Sequence, residues 1–262
     1  MLISFNAFPY MFQRDCFTRS YIYKTNCNRN RNVIHHPCHT VTRIFPSEKD
    51  RDTSIRSTLN RENYNPVLAW SLGCQMTSLR FQQPDTDLAV NDGLFRQIGG
   101  MGYLEKPKWL LGEGDRPDPM RLKIRVISGS CIPKLYAAAN DASSTSLDSS
   151  IDSPFVILEL HDVVFEGANE QLSITKHNVK CGNGNGFYPI FDDMGKQFEV
   201  ETPDVATLVF RIKKNSERGK DVSTTAVPVS CLRRGYRSVQ LYDTDNTRHG
   251  RFASAALMVF IM

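Results

Sequence analysis

Arg121-Leu122-Lys123-Ile124-Arg125-Val126 is the stretch that decides the fold of this chain, because polar and apolar side chains alternate in it without interruption. Alternation with a period of two predicts a β-strand that buries one face. Similar short runs, separated by turn residues, follow at 155–160, 173–179, 197–201, 206–212, 226–229, 238–241 and 255–261. A series of about eight short strands favours an antiparallel β-sandwich, in which two packed sheets each bury one face.

A turn-rich segment, Gly112-Glu113-Gly114-Asp115-Arg116-Pro117-Asp118-Pro119, precedes this region. Its glycines, prolines and acidic residues predict a linker over residues 112–119 and the main domain boundary of the chain. Upstream, residues 74–81 form an apolar, strand-like run, and the glycines within residues 99–102 indicate a bend. Residues 1–35 are rich in Asn, Arg and Thr and have little periodicity, so we expect a loop or disorder there.

The composition restricts the function classes open to the chain. With 262 residues, of which 40% are hydrophobic and 23% charged, it is typical of a globular protein and excludes a collagen-like or mostly disordered chain. The longest apolar runs are shorter than the roughly 18–20 residues of a membrane span, so we expect no bilayer crossing. A net charge of +4 is too small to indicate a nucleic-acid-binding protein.

Cysteine usage and the first residues bear on the cellular compartment. Seven dispersed cysteines without a Cys-x-x-Cys pair indicate reduced thiols in a cytosolic setting. Residues 1–12 are mostly apolar, but no positively charged segment precedes them, which disfavours a signal peptide. These features predict a cytoplasmic protein.

Motifs before the linker give the chain a family resemblance. They are, in order, Thr42-Arg43-Ile44-Phe45-Pro46, Asn63-Tyr64-Asn65-Pro66, Trp70, Gly73-Cys74-Gln75-Met76, Gly99-Gly100 and Lys106-Pro107. This ordered set resembles the second catalytic half of eukaryotic phosphoinositide-specific phospholipase C. The resemblance implies that residues 36–111 form half of a TIM-type α/β barrel, with chemistry at the carboxyl ends of the strands.

Motifs after the linker resemble the C2 domain that follows the barrel in the same family. They are Leu122-Lys123-Ile124, Ser128-Gly129, Pro133, Pro154-Phe155-Val156, Gly186-Phe187-Tyr188-Pro189 and Gly235-Tyr236-Arg237. The expected fold class is therefore multi-domain: a partial TIM-type α/β barrel half followed by an antiparallel, C2-like β-sandwich over residues 120–262.

The resemblance implies an activity that this sequence carries only in part. The family hydrolyses phosphatidylinositol 4,5-bisphosphate to inositol trisphosphate and diacylglycerol at a phosphoinositide membrane surface. Its catalytic histidines, its general base and its Ca²⁺-binding carboxylates belong to the first barrel half, which has no counterpart in this sequence. We therefore expect no catalytic residue here, Ca²⁺ bound at the missing half, and no activity from this chain alone.

Three residues are candidates for substrate binding by resemblance. Arg43 stands where the family contacts the headgroup phosphate, and the guanidinium fork suits two charge-assisted hydrogen bonds to phosphate oxygens. Phe45 stands where the family has a tyrosine against the inositol ring, although a core aromatic is an equally open interpretation. Cys16 lies where the family has a serine, and its thiol is a weaker donor.

The sandwich loops bear on calcium and membrane binding. Ca²⁺-dependent C2 domains cluster aspartates at one end, since Ca²⁺ takes oxygen ligands. Asp152 matches the first such position, but Lys214 and Ser216 stand where the family has an Asp-x-Asp pair, so we expect calcium binding to be largely lost. Lys213, Lys214 and Lys220 could contact anionic headgroups; the alternative is a solvated loop whose field nearby acidic residues partly cancel.

Two further motifs are disfavoured as ligand sites. His35-His36-Pro37-Cys38-His39 lacks a second Cys/His pair to complete a tetrahedral zinc site. Gly182-Asn183-Gly184-Asn185-Gly186 is followed by Phe-Tyr-Pro, which cannot begin the helix that a phosphate-binding loop requires. We expect a turn of the sandwich there.

Two functions stay open at this point. The chain is either the carboxyl-terminal part of a phospholipase C, or a non-catalytic, C2-based module for lipid surfaces or protein partners. A third interpretation is a remnant without function that folds only in its C2 part. In the first case the missing half precedes Met1 in a longer product or comes from a separate chain, and the poorly matched residues 1–35 favour a misassigned start. Both functions place the protein in the cytoplasm, peripheral at membranes.

Overall fold

The part of the chain before the linker contains a five-stranded mixed sheet. The structure, a computed structural model, describes residues 2–4, 15–18, 42–45, 63–133, 153–166, 169–181, 186, 188–191, 193–214, 217–219 and 221–262. The strands of this sheet are β1 (Leu2–Ser4), β2 (Asp15–Thr18), β3 (Thr42–Phe45), β4 (Met76–Thr77) and β5 (Tyr103–Leu104). Their order is β2-β3-β4-β1-β5, and neighbours run parallel except β1 and β5.

The structure departs from two expectations for this part of the chain. Within residues 1–35, expected to be loop or disorder, the described residues 2–4 and 15–18 form β1 and β2, because pairing with strands distant in sequence satisfies their backbone groups. Of the apolar run 74–81, only Met76 and Thr77 form a strand. The backbone of Arg80 is instead held by the side chain of Asn63, whose Oδ1 accepts from Arg80 N at 2.6 Å and whose Nδ2 donates to Arg80 O at 3.2 Å.

Two α-helices follow strands β3 and β4 within the described residues: α1 (Val67–Ser71) and α2 (Thr86–Arg96). Asp85 caps α2, since its carboxylate accepts from Leu88 N at 2.8 Å, and Arg96 lies in the last turn, where a cation complements the helix dipole. A 3₁₀ turn (Lys108–Leu111) follows β5, and residues 112–119, the expected linker, contain no helix or strand.

The region from residue 120 onward is an antiparallel β-sandwich. Its strands are β6 (Met120–Ser130), β7 (Pro154–Glu166), β8 (Asn169–Lys180), β9 (Lys196–Val200), β10 (Thr207–Lys214), β11 (Asp221–Pro228), β12 (Gly235–Gln240) and β13 (Ala256–Ile261), with 3₁₀ turns at Val229–Cys231 and Gly250–Phe252. One sheet has the order β11-β10-β7-β8 and the other β12-β13-β6-β9. Within both sheets every neighbouring pair is antiparallel.

Alternation along the strands builds the core between the two sheets, as the sequence predicted. In β6, Leu122, Ile124 and Val126 are buried while the residues between them are exposed. The predicted run 226–229 misses most of β11, which begins at Asp221. Its first residues are mainly polar, but pairing with β10 carries them into the sheet. Residues 134–152, between β6 and β7, lie outside the described residues.

A second hydrophobic core joins the sandwich to the mixed sheet and its helices. On one side it contains Trp70 and Phe95, whose ring centroids lie 6.4 Å apart in an edge-to-face arrangement. On the other side it contains Val163, Val209 and Ala226 from the outer face of the β11-β10-β7-β8 sheet. Because both parts contribute fully buried side chains, neither can complete this core without the other.

Polar contacts accompany the shared core. Hydrogen bonds between described residues cross from the helical part to the sandwich. They include Asn65 with His161, Ser71 with Glu170, Arg96 and Asp92 with Asn246, Gln97 with Cys231, and Trp109 with Asp204. None of the helices in the described ranges is long and apolar enough to cross a bilayer.

The closest backbone approach across this interface generates a testable prediction. A Cβ added at Gly93 of α2 would meet the Ala226 carbonyl group, its carbon at 2.8 Å, so helix and strand would have to separate. We expect Gly93→Ala to destabilise the protein by about 1–2 kcal/mol, because overpacking outweighs the gain in helix propensity. Urea unfolding measures the loss, and limited trypsin digestion reports whether residues 63–111 become accessible.

The matched control is Gly129→Ala, whose Cβ would meet the flexible end of Ile132, Cδ1 at 2.5 Å, and the Pro189 ring. Side chains at this site can move more readily than a paired backbone, so we expect a smaller loss. Equal stability of Gly93→Ala and the wild type would show that the close approach is not a constraint.

Candidate active site

Arg43 and Ser78 come together at the carboxyl side of two parallel strands. Arg43 is half-buried on β3, and its Nε donates a hydrogen bond of 2.9 Å to Ser78 Oγ. Ser78 directly follows β4, the parallel neighbour of β3. One N–H of the guanidinium is thereby held in a fixed orientation. The sequence reading found Arg43 but missed Ser78, whose only signal is its position immediately after a strand.

The backbone beside Arg43 is held from three directions. Ile44 O accepts hydrogen bonds from Ser78 N at 2.9 Å and from the Tyr64 hydroxyl at 3.2 Å. Thr42 N donates to the Gln75 side-chain oxygen at 2.9 Å. These groups are buried, so each bond is made where water cannot compete for it. The strand that carries Arg43 is therefore a rigid support.

The structure places the other two substrate-binding candidates by their backbone positions. Cys16 pairs in register with Arg43, and Thr18 pairs with Phe45, across the parallel β2–β3 pair. Register partners of neighbouring strands lie side by side on the same face of a sheet. Cys16 and Arg43 therefore share a face of this sheet, while the side chains of Cys16 and Phe45 lie outside the described residues.

Asn65 connects this region to the sandwich through a buried histidine. Its Oδ1 accepts from Val67 N at 3.1 Å and its Nδ2 donates to Asp87 at 2.9 Å, which fixes the amide orientation. The same Nδ2 lies 2.5 Å from His161 Nδ1, so Nδ1 is the acceptor and the ring proton lies on Nε2. His161 Nε2 is 3.4 Å from Glu159 Oε2.

Glu159 is a buried carboxylate held by three positive or hydrogen-donating groups. Burial alone would raise its pKa, but hydrogen bonds from His161 and Lys176 and the charge of Arg211 lower the pKa to about 2. Lys176 Nζ lies 3.0 Å and Arg211 Nη1 3.2 Å from Glu159 Oε1. The carboxylate is therefore ionised at neutral pH and serves as an electrostatic anchor of the sandwich surface that faces Asn65.

Of the three loop cations considered for membrane contact, Lys213 is engaged by contacts within the protein. Lys213 Nζ lies 3.6 Å from Asp221 Oδ1 and donates to Gly219 O at 3.3 Å, and the side chain is only 14% exposed. Asp221 also pairs with Arg211 at 3.0 Å. Lys214 is half-buried. Lys220 and Ser216 lie outside the described residues.

The described ranges contain His–carboxylate pairs but no candidate metal site. There, no group of three or more His, Cys, Asp or Glu side chains is placed to hold a metal ion. His161 and His177 are both engaged with carboxylates, His177 with Asp193 at 2.9 Å. Asp152, residues 35–39 and residues 182–185 lie outside the described residues.

Comparisons with known proteins agree with the resemblance seen in the motifs. Residues 11–109 match the family model of the phosphatidylinositol-specific phospholipase C Y domain. The chain is 32% identical over 241 residues to rat 1-phosphatidylinositol 4,5-bisphosphate phosphodiesterase delta-1, covering 87% of this chain and 28% of the relative. It is 29% identical over 213 residues to mouse inactive phospholipase C-like protein 2, covering 77% of this chain and 17% of the relative.

A solved structure shows the same fold. A crystal structure of S. officinalis PLC21 superposes with a TM-score of 0.69 at 23% identity, covering 94% of this chain and 29% of that chain. The chain thus spans under a third of the length of these relatives. The match to the family model begins at residue 11 and so includes β2, which lies upstream of the expected start at residue 36.

Glu170, at the interface between the helical part and the sandwich, generates a prediction of pH-dependent stability. Burial raises the pKa of Glu170 to about 7. The hydrogen bond from Ser71 and the charge of Arg116 lower the pKa, but they only partly offset the effect of burial. Because the folded-state pKa is raised above the ordinary 4.5, stability contributed by the protonated form is lost as pH rises from about 4.5 to about 7. Glu170→Gln keeps an acceptor for Ser71 and cannot ionise.

We expect Glu170→Gln to be more stable than the wild type at pH 8, by about 1–3 kcal/mol, with the difference shrinking toward pH 5. Urea unfolding at the two pH values measures it. Glu199→Gln is the control, since that side chain is 73% exposed and lies 4.0 Å from Arg121. Greater stability of the wild type at pH 8 would contradict a buried carboxyl whose ionisation is costly.

Proposed function

The chain belongs to the phosphoinositide-specific phospholipase C family, and we propose that it forms the headgroup-binding half of the catalytic barrel together with the C2 domain. The observation that carries this proposal is Arg43, held by Ser78 on a rigid parallel strand. A guanidinium in that setting suits the phosphate groups of phosphatidylinositol 4,5-bisphosphate. Cys16, its register partner on β2, and Phe45 at the end of β3 are proposed to line the same site.

The topology supports a barrel half. The elements alternate in the order β3, α1, β4, α2, and β2, β3 and β4 are parallel neighbours. Alternating strands and helices with a parallel sheet are the building units of a TIM-type barrel, whose active sites lie at the carboxyl ends of the strands. Ser78 follows the carboxyl end of β4, where such a site is expected.

The proposed reaction is hydrolysis of the phosphodiester bond. The inositol 2-hydroxyl attacks phosphorus, diacylglycerol leaves with a proton, and water then opens the cyclic phosphate to yield inositol trisphosphate. The steps require a base, an acid and stabilisation of negative charge on the phosphoryl oxygens. Within the described residues this chain contributes Arg43, which binds and orients the headgroup; the acid and base are assigned to the first barrel half.

Ca²⁺, which the family resemblance implies for the catalytic domain, has no ligand set among the described residues. We therefore assign no step of the reaction to a metal held by this chain. Hydrolysis is proposed to require the first barrel half, supplied by further sequence of the same product or by a separate chain. We place the protein in the cytoplasm, peripheral at phosphoinositide-containing membranes.

A second candidate is a non-catalytic, C2-based module. It is favoured by the similarity to a relative that is named inactive. On this alternative the chain binds lipid surfaces or protein partners without hydrolysing a phosphodiester, and Arg43 retains headgroup binding without turnover.

Substitution of Arg43 tests headgroup binding. We expect Arg43→Gln to weaken binding of inositol 1,4,5-trisphosphate about tenfold or more, since it removes charge-assisted hydrogen bonds. Arg43→Lys keeps the charge but loses the fork, and we expect an intermediate affinity. Isothermal titration calorimetry measures the Kd. Arg218→Gln, at an exposed turn, is the control of equal charge. Equal affinities of Arg43→Gln and the wild type would contradict the proposed site.

Reconstitution tests catalysis. Residues 1–262 alone should release no inositol trisphosphate from phosphatidylinositol 4,5-bisphosphate vesicles containing Ca²⁺. Addition of the first catalytic half of the rat delta-1 relative should restore release in the wild type and not in Arg43→Gln. Turnover by the chain alone would contradict the assignment of the acid and base to the other half. Binding without restored turnover would favour the non-catalytic module.

A further inference from the structure

The outward face of the β12-β13-β6-β9 sheet carries a row of cations. Arg121, Lys123 and Arg125 alternate along β6 with its buried apolar residues, and all three are exposed. Alternate residues of a strand point to the same face of the sheet. The three positive charges therefore stand in line on one face of the sandwich.

These cations have little compensation from acidic groups. Arg121 lies 4.0 Å from Glu199, with both side chains more than 70% exposed, a geometry of small energetic value. Among the described residues, Lys123 and Arg125 form no ion pair with a carboxylate. The positive electrostatic potential of these three cations is thus available to a binding partner of this face.

Apolar side chains lie on the same face beside the cations. Phe260 of β13 pairs in register with Arg125 on one side and with Tyr236 of β12 on the other. The Tyr236 and Phe260 ring centroids are 4.7 Å apart, and Tyr236 is 67% exposed. Met258, on the same face of β13, is 41% exposed. Exposed apolar groups bordered by charge mark an interaction surface.

Further positive charge lies around Tyr236. Arg233 and Arg234 are exposed in the turn that leads into β12, and Arg237, the residue after Tyr236 on β12, is also exposed. The Arg237 guanidinium donates to the backbone carbonyls of Arg233, Arg234 and Tyr236, at 3.2, 2.7 and 3.1 Å. Carbonyl partners fix the side chain without cancelling its charge. Cations therefore lie beside both aromatic residues: Arg125 is the register partner of Phe260, and the Arg237 guanidinium is bonded to the backbone of Tyr236.

We infer that this surface, the basic–aromatic face, docks the chain on a bilayer containing anionic phospholipid. Arg and Lys stems lie along apolar surface while their charged ends meet headgroups, and a tyrosine ring prefers the interfacial depth of a bilayer. The cations extend over two separated strands and a turn, which suits a distributed surface charge. The choice of a lipid partner over an acidic protein rests on the proposed function, whose substrate is a membrane lipid.

Vesicle sedimentation tests the inference on the full chain. The face variant combines Arg121→Gln, Lys123→Gln and Arg125→Gln, and its control combines Lys108→Gln, Lys180→Gln and Arg218→Gln, which are exposed elsewhere. Each cation near an anionic surface contributes about fivefold to the binding affinity. We therefore expect the face variant, which lacks three cations, to bind phosphatidylserine–phosphatidylcholine vesicles on the order of 100-fold more weakly than the wild type. The control should lose far less. Tyr236→Ser should weaken binding even in high salt, where the charge contribution is screened.

Circular dichroism and thermal unfolding establish that each variant is folded. Failure of the inference is distinguishable from failure of the proposed function. The face variant should retain inositol trisphosphate binding in solution, and Arg43→Gln should retain binding to vesicles that lack phosphoinositide. Wild-type affinity of the folded face variant for anionic vesicles would overturn the inference. The absence of vesicle binding by the wild type would also overturn the inference. This includes the outcome in which the basic–aromatic face binds an acidic protein and not a bilayer.

Discussion

The packing of α2 against β11 is the constraint on which the rest of the structure depends. Gly93 lets the helix approach the Ala226 backbone closely, and the core around Trp70 and Phe95 closes over the outer face of the sandwich. The same interface carries the Asn65–His161 contact, which continues to the ionised Glu159. The helical part, including the strand that carries Arg43, and the sandwich therefore form one cooperative unit. Removal of one of these two parts would expose apolar surface of the other and leave its polar groups without partners.

The sequence predicted the sandwich well and the mixed sheet poorly, for one physical reason. The alternation in β6 is a local signal, and local burial of one face produces it. Strands Leu2–Ser4 and Asp15–Thr18 are short, and their partners lie far along the chain, so no local alternation marks them; only the family resemblance at Cys16 pointed to the second. Arg43 was found because a motif surrounded it, whereas Ser78 and His161 are defined only by what folding brings beside them.

Charge is treated in two contrasting ways on the two sheets of the sandwich. On the β11-β10-β7-β8 sheet, Glu159 and Asp221 are surrounded by Lys176, Arg211 and Lys213, so the field is largely cancelled. On the opposite sheet, the cations of β6 have one distant, exposed carboxylate between them. Sequence alone left open whether the lysines near residue 213 meet headgroups or lie in a solvated loop, because it shows which residues are charged but not which are already paired.

The dependence of the helical part on Ala226 has a consequence for the order of events during synthesis. The ribosome delivers residues in sequence, and the strand that completes the second core emerges more than a hundred residues after α2. Until then α2 lacks the strand against which Gly93 packs, although other residues of the second core, such as Val163, are already present. Folding of the amino-terminal part is thus deferred until the sandwich is nearly complete, and any product that stops short of β11 leaves its apolar residues for chaperones or proteases.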